Sequence, residues 1–231
     1  MKVGLFGGSF DPPHAGHVAL AQAGLDVAGF DEVWIIPANP VHRQLSGCAD
    51  GSTRLAWMQQ LFSNNPRIRI VEWETELPRP TPTIETLRRF KREYPHDQPW
   101  LMLGGDAWHS LDSWREYPAH QQLCSVAVFA RAGINDLPHH SGWQQVAGPD
   151  ATHTSGSWCY LPVALPDIAA TALRRDAALG LTLQGRVPEP IRKAVEAAYQ
   201  THSQAFTAEE QAPAFPARDS PKTVNAEERH T

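Results

Sequence analysis

The chain has 231 residues, a length that fits one principal core and excludes a large multidomain assembly. Hydrophobic residues make up 42% and charged residues 19%, enough apolar side chain for a packed core, which excludes wholesale disorder. Lys and Arg total 20 against 25 Asp and Glu, a formal net charge of −5, so no overall positive field exists to hold nucleic acid or an anionic membrane.

Residues 2–6 form a short apolar run stopped by Gly7-Gly8, which reads as a strand ending in a glycine turn. The run is too short for a signal-peptide core, and no stretch of about 18 apolar residues follows, so a cytoplasmic location is expected. Residues 15–28 carry helical spacing just after Pro12-Pro13. The alternation then repeats: strand at 32–36, helix at 53–62, strand at 68–73, helix at 83–94, strand at 100–103. A short helical stretch around 110–123 precedes a buried-looking strand at 125–130, and a weaker strand is read at 158–163. Helices at 169–179 and 189–201 close the ordered part.

This order predicts an α/β fold, a Rossmann-like doubly wound parallel sheet of five or six strands with helices on both faces. Trp34, Trp57 and Trp73 read as core. Residues 1–202 form one domain; 203–231, rich in Ala, Glu, Pro, Ser and Thr, read as a disordered C-terminal tail. Cys48, Cys124 and Cys159 are odd in number and far apart, which fits reduced thiols. His139, His140, His153 and Cys159 match no common zinc spacing, and no residue is assigned as a metal ligand.

In an open parallel sheet the ligand crevice lies beyond the carboxyl ends of the strands, so the loops after the first, second and fourth strands carry the chemistry. The first reads Gly7-Gly8-Ser9-Phe10-Asp11-Pro12-Pro13-His14-Ala15-Gly16-His17. The glycines allow a backbone approach to phosphate that a Cβ would block, and a helix N-terminus adds its own attraction for an anion. His14 and His17, three apart, share one face of the first turn, where both rings can point at one phosphate. No Gly-Lys-Ser/Thr closes the loop and no GxGxxG is present, so kinase and dehydrogenase readings weaken. Asp11 reads as a turn residue in Asp-Pro-Pro and is left out of the catalytic set.

The strand-turn-helix carrying His14-Ala15-Gly16-His17 closely resembles the HxGH signature of the nucleotidylyltransferase superfamily, which binds ATP and transfers its AMP portion; a pair of helix-capping histidines is the plainer alternative. Further segments, in order, resemble bacterial nicotinate mononucleotide adenylyltransferases. Asn39-Pro40-Val41-His42-Arg43 is similar to their NPPHK, Arg54-Leu55-Ala56-Trp57-Met58 to RLxM with its flank, and Thr83-Ile84-Glu85-Thr86-Leu87 to the end of (S/T)YTxxTL. Leu103-Gly104-Gly105-Asp106, Leu111 and Trp114 are similar to LGxDxxxxLxxW, Arg131-Ala132-Gly133 to RxG, Ile168 to Arg174 to ISxTxxR, and Val187-Pro188-Glu189-Pro190-Ile191 to VPxxV. The resemblance covers residues 1 to about 200. It departs from the pattern at Ala169, where the serine is lost, at Arg43 for lysine, at Val41 for proline, and at Pro82, where the aromatic is missing. Loss of that serine hydroxyl is expected to weaken triphosphate holding by about 1 kcal/mol.

The resemblance implies that the 5′-phosphate of nicotinate mononucleotide attacks the α-phosphate of ATP, giving nicotinate adenine dinucleotide and pyrophosphate, a step of NAD biosynthesis. It implies His14, His17 and Arg174 as catalytic, with Gly7, Gly8, Ser9, Phe10, Asp106 and Thr171 completing the ATP side. Asn39, His42, Arg43, Thr83, Asp106 and Trp114 fall on the pyridine nucleotide side, Trp114 as a stacking platform. Mg²⁺ is expected to arrive with ATP. Asp106 could instead be only a helix cap, and His42 and Arg43 only solvated loop charges. Two rival functions stay open: a related adenylyltransferase preferring nicotinamide mononucleotide, and, because of Ala169, a nucleotide-binding module with little turnover.

Overall fold

The computed structural model describes residues 1–39, 49–130, 137–150 and 155–200. β1 (Lys2–Gly8) opens the chain with Val3, Gly4, Leu5 and Phe6 all buried, as a central parallel strand covered on both faces requires. There follow α1 (Ala15–Asp26), β2 (Glu32–Pro37), α2 (Gly51–Phe62), β3 (Ile68–Ile70), α3 (Thr83–Glu93), β4 (Gln98–Gly104) and α4 (Gly105–His109). β5 (Ser125–Ala130), β6 (Gln144–Gln145), β7 (Ser157–Pro162), α5 (Ala170–Ala178) and α6 (Glu189–Gln200) complete the order.

Among the described residues the strands form one sheet in the order β3-β2-β1-β4-β5-β7-β6, with every neighbouring pair parallel. The doubly wound α/β arrangement is therefore as the alternation predicted. The order reverses between β1 and β4, which places the crevice at their carboxyl ends.

Seven strands replace the expected five or six, because β6 is a two-residue, exposed edge strand with no apolar pattern to reveal it. β3 is shorter than residues 68–73: Val71 and Trp73 stay buried after the ladder ends. The single helical stretch expected at 110–123 is α4 followed by two 3₁₀ turns, Leu111–Ser113 and Ala119–Gln122, with Pro118 at the head of the second. A proline has no N–H to donate to a helical ladder, so none runs through 118.

Helices cover both faces of the sheet. Leu20, Ala21 and Leu25 of α1 and Met58 and Phe62 of α2 pack on Phe6, Val33 and Ile35. On the other face Leu87 and Phe90 of α3 pack on Leu5, Trp34 and Leu101. Ile84, Leu87 and Phe90 follow the helical period, so one stripe of α3 is apolar and its other faces carry charge. α5 and α6 pair through Leu173, Ala177, Ile191, Val195 and Tyr199, and dock on Trp57 of α2. Trp34, Trp57 and Trp73 are all buried. Gly4 is needed at the centre: a Cβ there would lie 2.5 Å from Phe30 Cδ2 and 2.8 Å from Met102 Sδ. No helix among the described residues is long and apolar enough to cross a membrane.

Candidate active site

β1 and β4 run side by side with Leu5 opposite Leu101, so Gly8 and Gly104 end the two central strands at the same edge of the sheet. A Cβ on Gly7 would meet nothing within 4 Å, whereas one on Gly8 would come within 3.1 Å of the Phe10 ring. Phe10 itself has φ 46°, a left-handed conformation that side chains other than glycine rarely adopt. Tertiary packing holds it there: its ring is fully buried, 5.2 Å from Phe6 and 4.8 Å from His17, both edge to face. The tight reversal brings α1 back under the strand ends.

His14 is the N-cap of α1 in an extended conformation, and His17 sits in its first turn. Their rings stack with centroids 3.7 Å apart and planes 28° apart, the shared face that a spacing of three predicts. His17 Nδ1 accepts the His14 backbone N–H at 3.2 Å, so the neutral ring carries its proton on Nε2. His17 therefore does cap the helix, as the plainer reading held, but His14 Nδ1 is buried with no hydrogen-bond partner. Burial lowers the His14 pKa to about 4; burial and the neighbouring His14 charge hold His17 well below the usual imidazole value. Both rings are neutral near pH 7, and an approaching anion raises both by favouring the charged form.

Two buried arginines brace the loop from below. Arg174 of α5 donates from Nη1 to the Asp11 carbonyl at 2.7 Å and from Nη2 to Thr171 Oγ1 at 3.3 Å. Arg54 of α2 donates from Nη1 to the Ser9 carbonyl at 2.5 Å and from Nε to the Ala49 carbonyl at 3.2 Å. Each is 4% exposed. The starts of α1 and α5 converge near this floor: a Cβ on Gly16 would lie 3.5 Å from the Pro166 carbonyl. Ala169, the N-cap of α5, supplies no side-chain cap, so no N-cap side chain competes for the first-turn N–H groups.

Asp11 is more than a turn residue. It is 4% exposed, and its Oδ1 accepts the Ala49 N–H at 3.0 Å and the Tyr199 hydroxyl at 2.5 Å. Sequence reasoning passed over Asp11, Arg54 and Tyr199 as site residues. For Arg54 a signal existed: it shares the buried stripe of α2 with Trp57 and Met58, where an unpaired cation would be costly. Nothing local marks Tyr199.

On the other side of the crevice, Asn39 Nδ2 donates to the Leu77 carbonyl at 2.8 Å and the Arg79 carbonyl at 3.3 Å. That ties the end of β2 to the segment leading into α3, whose first residue is Thr83. Asp106 is exposed in the first turn of α4, but Gly104 is the N-cap and no side-chain cap is formed, so capping does not account for Asp106. Trp114 is partly buried, edge to face with His120 at 6.0 Å. Among the described residues no hydrogen bond or ring contact joins Asp106 or Trp114 to His14, His17 or Asn39. His42 and Arg43, like Val41 and Arg131-Ala132-Gly133, lie outside the described residues.

Comparison with known proteins settles the lineage. The cytidylyltransferase-like family matches residues 5–174. A protein of Geobacter metallireducens named "Probable nicotinate-nucleotide adenylyltransferase" is 30% identical over 207 residues, covering 83% of this chain and 94% of that one. The chain belongs to the cytidylyltransferase-like family. A Chromobacterium violaceum family member of the same name is 34% identical over 181 residues, 75% of this chain and 85% of that one. The fold agrees with that of the Plasmodium falciparum nicotinic acid mononucleotide adenylyltransferase complexed with NaAD, at TM-score 0.64 and 13% identity, covering 89% of this chain and 97% of that one. Within this family fold, the stacked histidines and the arginine-braced loop occupy the switch point between β1 and β4.

Proposed function

We propose that the chain transfers AMP from ATP to nicotinate mononucleotide, releasing pyrophosphate and forming nicotinate adenine dinucleotide, a step of NAD biosynthesis. The observation that carries this reading is the stacked pair His14 and His17 at the start of α1, above a loop held by Arg174. The relatives' shared name supplies the acceptor.

Nucleophile and leaving group are both phosphate anions, so the protein has no proton to remove and works by alignment and charge neutralisation. An oxygen of the mononucleotide's 5′-phosphate bonds to the α-phosphorus as the bond to the β,γ-pyrophosphate breaks. His14 and His17 donate to the phosphates carrying the developing charge, while Gly7, Gly8, Ser9 and Phe10 shape the loop around them. Arg174 and Thr171 hold the β- and γ-phosphates near the open start of α5, whose N–H groups offset the hydroxyl missing at Ala169. Asp106 borders both nucleotides; Asn39, His42, Arg43, Thr83 and Trp114 serve the pyridine nucleotide, with Trp114 stacking on the ring.

Among the described residues no group of three or more His, Cys, Asp or Glu converges as a metal site. We take the divalent cation to be Mg²⁺ carried on the triphosphate, beside His14, His17 and Arg174; bound there, it would neutralise phosphate charge. The catalytic unit is residues 1–202, and 203–231 are dispensable to it. Buried free thiols at Cys124 and Cys159 support placing the reaction in the reducing cytoplasm.

The test is pyrophosphate release with ATP, Mg²⁺ and nicotinate mononucleotide, nicotinamide mononucleotide or no acceptor. Release that depends on the nicotinate compound is expected. Preference for the amide would move the acceptor, and ATP binding without release would favour the low-turnover module that Ala169 motivates.

A further inference from the structure

We propose that Tyr199, in the last turn of α6, is a positioning residue for the ATP phosphates: its hydroxyl holds Asp11 so that the Arg174 guanidinium stays available to the triphosphate. The inference rests on the adenylyl-transfer reading. Tyr199 is fully buried, and its hydroxyl donates to Asp11 Oδ1 across 188 residues of chain. The same Oδ1 accepts the Ala49 N–H, at the entry to α2. Asp11 Oδ2 lies 3.9 Å from Arg174 Nη1, while that Nη1 donates instead to the Asp11 carbonyl at 2.7 Å. The carboxylate and the guanidinium therefore stand beside each other without the short bidentate pairing that a free Asp and Arg form.

The geometry explains what a tyrosine does there that a cation could not. A neutral O–H satisfies one carboxylate oxygen and fixes its direction without cancelling its charge. With that oxygen held by Tyr199 and Ala49, the carboxylate cannot turn fully onto Arg174, and the Arg174 charge is left for phosphate. Without the hydroxyl, only the Ala49 N–H still holds that oxygen, and Asp11 is freer to close the 3.9 Å gap and compete with ATP for the guanidinium. Ring and hydroxyl are separable: the ring packs on Trp57 at 6.2 Å and within the α5–α6 core, and it remains when the hydroxyl is removed.

Tyr199→Phe is the variant, with affinity for an ATP analogue bearing a methylene between the α- and β-phosphorus as the primary readout, alongside steady-state kinetics and thermal unfolding. Expected is an analogue Kd and ATP KM raised about tenfold, the worth of one hydrogen bond to a charged group. KM for the pyridine nucleotide is expected to be unchanged. In an Asp11→Asn background, whose neutral amide lacks the charge that draws Arg174, the Tyr199→Phe penalty is expected to fall to a small fraction of its value. Unchanged analogue affinity in Tyr199→Phe, or a penalty that persists undiminished in Asp11→Asn, overturns the proposal. So does a general loss in which both KM values rise together with a lowered Tm, which marks a merely structural role. If the wild-type chain binds the analogue but releases no pyrophosphate, the function reading fails while the affinity comparison still decides the role of Tyr199.

Discussion

Glu74 offers a prediction whose size follows from one buried carboxyl. It lies just past β3, 7% exposed, with Oε1 accepting from Thr86 Oγ1 at 2.6 Å. Burial raises its pKa from 4.5 to about 7; the Thr86 hydrogen bond opposes that rise and the Glu85 charge adds to it. An acid whose folded pKa exceeds its unfolded pKa costs nothing below pH 4.5, where both states are protonated. Between pH 4.5 and about 7 the unfolded chain ionises first and stability falls; above that the loss is complete, about 3 kcal/mol. Glutamine has nearly the same shape, still accepts from Thr86 and carries no charge. Glu74→Gln is therefore expected to match the wild type near pH 4 and to exceed it by up to about 3 kcal/mol at pH 8, roughly 6–12 °C in Tm for a chain of this size. Urea unfolding of both proteins at the two pH values, followed by tryptophan fluorescence, measures it. The buried histidines titrate alike in both proteins and cancel in the difference. An equal gap at both pH values, or a less stable variant at pH 8, would refute the idea that this carboxyl is strained by ionisation.

Four further outcomes are expected. His17→Ala should lower turnover by about 10²–10³-fold with the fold retained; pyrophosphate release within a few-fold of wild type would remove His17 from the catalytic set. Trp114→Ala should raise KM for the pyridine nucleotide about tenfold and leave KM for ATP unchanged, and the reverse pattern would move Trp114 to the other nucleotide. Gly4→Ala forces a methyl against Phe30 and Met102 and should cost about 1–3 kcal/mol in urea unfolding; no loss would mean that the two side chains swing clear. A chain ending at residue 202 should keep full activity and ATP affinity, since Tyr199 is retained, and a drop in either would assign residues 203–231 a role.

The layered fold was legible because each buried parallel strand is a nearly unbroken apolar run and each covering helix shows its period. β5 was placed to the residue for that reason: all six of its positions are buried. β6 was not, because two exposed glutamines carry no periodicity and are drawn into the sheet only by the neighbouring β7. The helix expected at 110–123 is replaced by 3₁₀ turns at Leu111–Ser113 and Ala119–Gln122, and Pro118 between them has no N–H to carry a helical ladder across.

The candidate site divides along the same line. His14 and His17 could be paired on paper because helical geometry turns a spacing of three into a shared face, and the rings do stack. Asp11 was read as a turn residue because Asp-Pro-Pro is a turn in any protein, and its other role depends on partners 38 and 188 residues away. Local sequence encodes local geometry; a buried carboxylate encodes the whole fold, since it is tolerated only where distant donors converge on it. That dependence runs in both directions. The loop after β1 takes its shape from Arg54 of α2, Arg174 of α5 and the Asp11 junction with α6, so its geometry depends on a helix whose tyrosine lies 188 residues further along the chain.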